Sequence, residues 1–140
     1  MPSDGFDNDD PRRLRELLKR ISGLAGEHAL TSVVVGMAGS EGDLVFPDIV
    51  DYVTSALRID DFIVRMTRER SVLFLIDVDR AGAEEIMARL LDEFGERFPR
   101  ATAPGVSLAY FEVTPTTRDA SVRDVLIGLF SPKSSARATH

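Results

Sequence analysis

Arg58, Asp61 and Arg65 fall in the stretch "RIDDFIVRMTRERSVLFL", residues 58–75, and Glu69 follows in the middle of a charged turn. Guanidinium groups suit the edge of a nucleobase or a phosphate, because the planar fork holds several N–H donors in fixed geometry. A carboxylate three residues after an arginine either accepts N–H groups of a base or pairs with the arginine itself. Arg58 and Asp61, with Arg65 one strand pleat on, are therefore the candidate set for gripping a nucleotide-like ligand. An ordinary surface ion pair is the alternative for the same residues. Glu69 is a lone carboxylate between Arg68 and Arg70, and adjacent cations repel a metal ion and pair with the glutamate instead.

Composition narrows the chemistry further. The chain has 140 residues, 44% hydrophobic and 29% charged, as expected for one soluble domain with a real core. Its formal net charge of -6 argues against a general nucleic-acid binder, which needs a basic surface. There is no cysteine, and the two histidines are His28, expected in a loop, and His140. Thiolate chemistry and a multi-histidine metal cluster are thereby excluded, and any metal would rest on carboxylates. No apolar run reaches the roughly 18 residues that span a bilayer, and "MPSDGFDNDD" is acidic where a signal peptide is basic and then apolar. Membrane insertion is not expected, and the expected location is the cytoplasm.

The elements that must position these residues follow from periodicity. Residues 1–10 read as a flexible acidic arm and 134–140 as a disordered tail, leaving a single domain over 11–133. A helix begins at Pro11 with Leu14, Leu17, Leu18, Ile21 and Leu24 on one face, and Gly23 and Gly26 fray its end. "LTSVVVGMAG" reads as a buried strand. A second helix places Phe46, Ile49, Val50, Val53, Ala56 and Leu57 on one face, with Asp43 as N-cap. A hairpin then joins Phe62–Met66 to Val72–Leu75 through a turn without Gly, Asn or Asp, the residues that reach positive φ cheaply. "VLFLI" is apolar throughout, as in a strand covered on both faces. Asp79 caps a third helix with the stripe Ala83, Ile86, Met87, Leu90, Leu91 and Phe94. "GVSLAYFEV" is a fourth strand, and Ser121 with Asp124 opens a last helix that ends before Pro132. This order predicts an α/β (α+β) fold of ferredoxin-like type, a sheet with a central antiparallel hairpin and helices packed on it.

The same order and the hairpin turn resemble the GGDEF domain of diguanylate cyclases, which join two GTP molecules into cyclic di-GMP. In that family the turn itself is the signature, preceded by arginine and tyrosine and followed by a run such as "AVLL". Here Arg65 and Met66 precede, Thr67-Arg68-Glu69-Arg70-Ser71 occupy the signature, and Val72-Leu73-Phe74-Leu75 follow. The turn resembles a degenerate GGDEF motif. The family's product-binding RxxD motif ends six positions before the first signature glycine, as Arg58 and Asp61 do relative to Thr67. Gly42-Asp43 match a preceding "GD" pair, and "GLFSPK", with Lys133, resembles "ALYxAK".

The departures bear on activity. The family's magnesium-binding aspartate on the first strand falls at Gly36, and the segment "FKxIND" that holds phosphate and guanine has no room between Gly36 and Asp43. Only Glu69 keeps a carboxylate in the signature, and Thr67 and Arg68 replace the glycines that let a triphosphate approach. Magnesium needs several oxygen ligands, so the resemblance implies a catalytically inactive signalling domain of a bacterium, without cofactor or metal. It implies an effector that binds cyclic di-GMP through Arg58, Asp61 and Arg65. The alternative is a protein-interaction or adaptor module that has lost nucleotide binding, with a protein partner of a signalling pathway or a homodimer. The basic face of the first helix, Arg12, Arg13, Arg15, Lys19 and Arg20, is expected to face solvent or an acidic partner.

Overall fold

Runs of β-branched residues make the sheet, and their two-residue period divides its faces. The computed structural model describes residues 11–40, 44–98, 106–117 and 121–130. The expected acidic arm and tail, Gly42, Asp43 and Lys133 lie outside the described residues. The elements are α1 (Pro11–His28), β1 (Ser32–Ala38), α2 (Phe46–Ala56), β2 (Phe62–Thr67), β3 (Arg70–Leu75), α3 (Arg80–Arg97), β4 (Ser107–Val113), a short 3-10 turn (Pro115–Thr117) and α4 (Val122–Phe130). The strands lie in the order β2-β3-β1-β4, and every neighbouring pair is antiparallel. The order is the one a split βαβ pair generates, so the expected mixed α/β architecture is present.

Two apolar layers enclose the sheet. Val34 on β1 and Val72 and Phe74 on β3 face α1 and α4, where Leu14, Leu18, Ile21, Val125 and Leu129 meet them. Val33, Val35 and Met37 with Leu73 and Leu75 face the other way, onto Phe46, Ile49 and Val53 of α2 and Ala83, Met87 and Phe94 of α3. The continuous apolar run of β3 thus serves two cores, which is why it shows no alternation. Each fully buried aliphatic or aromatic side chain contributes about 1.5–3 kcal/mol.

Element ends differ from expectation in particular places. Gly23 and Gly26 do not end α1; it runs on through His28, which is therefore helical and not in a loop. Closure comes from Ala29, at φ 54, with the Leu30 N–H donating to the Leu24 carbonyl. Val45 precedes the first turn of α2, the expected N-cap Asp43 lies outside the described residues, and Pro47 sits in the first turn where its missing N–H costs nothing. Ala56 is exposed and Leu57 lies past the helix end. Asp79 caps α3 as expected, its Oδ1 accepting from the Gly82 N–H at 2.8 Å. Ser121 Oγ accepts from the Asp124 N–H at 3.1 Å at the start of α4.

The hairpin resolves its odd turn chemistry with a bulge. Arg65 pairs with Ser71 and Thr67 with Arg70, so Met66 is an extra residue on β2. The only non-glycine residues at positive φ are Ala29 and Asp77 among those described, so neither Arg68 nor Glu69 is in the left-handed region. A turn of ordinary φ twists against the flanking strands, and a bulge restores local right-handed twist. Thr67 Oγ1 accepts from the Glu69 N–H at 3.2 Å, and the Glu69 carbonyl accepts from the Gly39 N–H at 2.8 Å, which pins the turn to the end of β1.

Candidate functional site

Arg58 and Asp61 stand in the connection between α2 and β2, at the end of β3. Arg58 Nε donates to Asp61 Oδ2 at 2.8 Å and Nη2 donates to Oδ1 at 3.0 Å, a two-point ion pair. Nη2 also donates to the Ile76 carbonyl at 2.6 Å. Asp61 Oδ2 accepts a further bond from the Arg58 backbone N–H, and Oδ1 accepts one from the Ile76 N–H at 3.1 Å. Both carboxylate oxygens are therefore engaged twice. The Asp61 side chain is 3% exposed, whereas that of Arg58 is 52% exposed. A buried carboxylate holds the guanidinium in one rotamer and ties the start of β2 to the end of β3. The hydrogen bond to Asp61 raises the Arg58 pKa, and the nearby negative charge of Asp61, Asp77 and Asp60 adds to this against partial burial. Three of the five guanidinium N–H donors are satisfied internally, leaving the two on Nη1 for anything outside.

Arg65 is not brought to this cluster. It lies four residues along from Asp61, ~13 Å at strand rise, and its Nη2 donates to Asp51 Oδ1 on α2 at 2.7 Å. The partners of both arginines, Asp51 and the Ile76 backbone, were not part of the sequence expectation. Each lies 14 or more positions away. Ile59, between Arg58 and Asp61, is 93% exposed at the tip of the turn.

The β2–β3 turn packs against α4. Arg70 lies over the Phe130 ring at 5.1 Å from its centroid. Gly36, opposite Val72 on β3, faces the same helix: a Cβ built there meets Leu129 Cβ at 2.8 Å and the tip of the Phe130 ring at 3.3 Å. Leu129 and Phe130 thus fill the space that a side chain at position 36 would need. Thr67 and Arg68 are exposed, and Ser71 is buried with a hydroxyl that has no hydrogen-bond partner among the described residues. No group of three or more Asp, Glu or His side chains converges among the described residues, and no described helix is long and apolar enough to cross a membrane.

The fold has close structural counterparts. A sensory box/GGDEF family protein from Caulobacter crescentus CB15 superposes with a TM-score of 0.71 at 16% identity, over 94% of this chain and 93% of that one. The FimX GGDEF domain from Pseudomonas aeruginosa gives 0.68 at 11% identity, over 95% and 94%. This is a GGDEF-type fold. PelD 158-CT from Pseudomonas aeruginosa PAO1 matches at 0.67 and 19% identity over 96% of the present chain, which spans 49% of the PelD chain. No family model and no curated protein matches the sequence. Identities this low establish the GGDEF fold and leave the chemistry to the residues themselves. Thr67–Ser71 span the end of β2, its turn and the start of β3, and the Arg58–Asp61 ion pair lies immediately before β2.

Proposed function

We propose that this chain is a non-catalytic GGDEF-type domain of bacterial cytoplasmic signalling that works by binding a protein partner. The observation that carries this reading is the packing of Leu129 and Phe130 against Gly36. Joining two nucleoside triphosphates requires carboxylates to hold magnesium beside the phosphates. Where the resemblance places the strand carboxylate, α4 leaves no volume for one, and Arg70 brings positive charge to the second acidic position of the signature. The Arg58–Asp61 pair supports binding of a macromolecule over a small anion: its carboxylate is consumed internally, Asp60 and Asp77 surround the guanidinium with negative charge, and Ile59 stands exposed beside it. An apolar tip flanked by an anchored arginine is the composition of an interface anchor.

A second reading rests on the half-exposed Arg58. Its Nη1 edge faces outward in a fixed rotamer, so it can donate to a guanine or phosphate oxygen while Asp61 positions it, making the domain a cyclic di-GMP effector through Arg58 and Asp61, with Arg65 further along β2. Calorimetric titration with cyclic di-GMP and with GTP, on the wild type and on Arg58→Ala, separates the readings. The partner reading expects no heat at roughly 100 µM ligand, a level that covers micromolar affinity. Saturable heat with cyclic di-GMP that disappears in Arg58→Ala decides for the effector. Magnesium-dependent formation of cyclic di-GMP from GTP overturns the non-catalytic assignment altogether.

A further inference from the structure

The helices on the two faces of the sheet carry opposite charge. On one face α1 sets five exposed bases, Arg12, Arg13, Arg15, Lys19 and Arg20, against Glu16 and Glu27, a balance of +3. α4 beside it adds one Arg and one Asp and leaves that unchanged. On the other face α2 and α3 together hold seven Asp and Glu, among them Asp48, Asp51, Glu85 and Asp92, against three Arg, a balance of -4. Arg15 and Lys19 have no ion-pair partner among the described residues, and neither do Glu85 and Asp92. Each face also exposes one large apolar side chain: Ile127 on α4, 54% exposed, and Phe98 at the end of α3, 47% exposed.

We propose that copies of this chain associate head to tail, the α1 face of one seated on the α2–α3 face of the next. One molecule carries both halves of the complementary pair, which makes a second copy the occupant that the charges specify. A two-fold dimer through either face alone opposes faces of like net charge, which is destabilising, whereas the head-to-tail contact opposes faces of unlike net charge. Such a contact is heterologous and propagates into a ring or an open row. The net charge of -6 repels copies at a distance. At ~0.1 M salt the Debye length is about 10 Å, well under the roughly 30 Å thickness of two helix layers on a sheet, so each face acts by its own charge at contact.

Sedimentation velocity over about 10 to 500 µM protein tests this in a range that reaches weak affinities. At ~0.1 M salt the average mass rises with concentration, and at ~1 M salt, where the Debye length is about 3 Å, association weakens at least tenfold. Arg15→Glu with Lys19→Glu, and separately Glu85→Lys with Asp92→Lys, each yield a folded monomer by circular dichroism. The first pair of substitutions takes the α1 face from +3 to -1 and the second takes the α2–α3 face from -4 to 0, so neither variant alone opposes two faces of unlike charge. In the mixture the intact α1 face of the second variant, at +3, meets the intact α2–α3 face of the first, at -4, so complex re-forms only there. A wild type that stays monomeric at 500 µM and ~0.1 M salt, association strengthened by salt, or variants that do not re-associate on mixing each overturns the proposal. Retention of an acidic foreign protein on α1 without self-association also overturns it and assigns the face to another occupant. None of these outcomes bears on the nucleotide titration of the Arg58 turn.

Discussion

At Asp61 four hydrogen bonds converge on one buried carboxylate, and two of them come from the backbone N–H groups of Arg58 and Ile76. Removing a partner from such a site leaves a desolvated polar group behind, which costs more than the bond itself was worth. Arg58→Ala and Asp61→Asn are each expected to lower unfolding stability by about 1–3 kcal/mol in urea titrations. Because both act on one network, the double variant is expected to cost less than the sum; strict additivity would show that the pair is not formed in solution. The spacing of Arg58 and Asp61 made an ion pair legible in the sequence. Burial of one partner and exposure of the other was not legible, since it depends on Ile76, which the fold brings alongside from 15 positions away. Arg65 shows the opposite limit: strand spacing placed it near the motif, and its actual companion is Asp51 on a helix.

Among the elements, the hairpin and the last helix carry the sharpest expectations. If Arg68 and Glu69 keep ordinary φ with the bulge at Met66 supplying the twist, a glycine at the turn brings only added freedom to the unfolded chain. Arg68→Gly is therefore expected to destabilise by about 0.5–1 kcal/mol, and a gain of stability by thermal denaturation would show that the turn uses positive φ after all. Gly36→Ala drives a methyl into Leu129 and is expected to cost about 1–3 kcal/mol, the range for overpacked cores; an unchanged denaturant midpoint would mean that α4 does not close on β1. Helix and strand identities were legible because Leu14, Leu18 and Ile21, or Val72 to Leu75, repeat with one period or fill both faces. The end of α1 was not, because Gly23 and Gly26 are tolerated on its less buried side while Ala29 takes the left-handed position usually given to glycine.

For the whole molecule, alkaline pH is the informative axis, since both tyrosines resist ionisation. Burial pushes the Tyr110 phenol from its ordinary 10.0 up to about 12, with Glu84 reinforcing and Arg80 opposing. Tyr52 is raised as well, by desolvation and then by its hydrogen bond to Glu93. A raised folded value means that the folded chain keeps protons the unfolded chain releases, so this stabilisation is complete below pH 10 and is lost as pH climbs toward about 12. Tyrosinate absorbance should accordingly appear above pH 10 in the native protein and near pH 10 in urea; coincident curves would contradict the packing around Tyr110. The architecture as a whole was legible from the order of elements around one hairpin, and the superposition on GGDEF structures bears it out. The opposed charge of the two helix layers was not, because it appears only once the sheet assigns α1 to one side and α2 with α3 to the other.

The contact between Gly36 and Leu129 also constrains what position 36 can hold. Its shortest distance is to Leu129 Cβ, an atom that every residue except glycine carries, so trimming Leu129 to alanine does not clear the way for a carboxylate at position 36. Placing a carboxylate at position 36 therefore displaces α4 and opens the core that Leu129 helps to close. Packing of this kind works as a lock: while the helix sits on the strand, no substitution at position 36 alone gives a side chain room there.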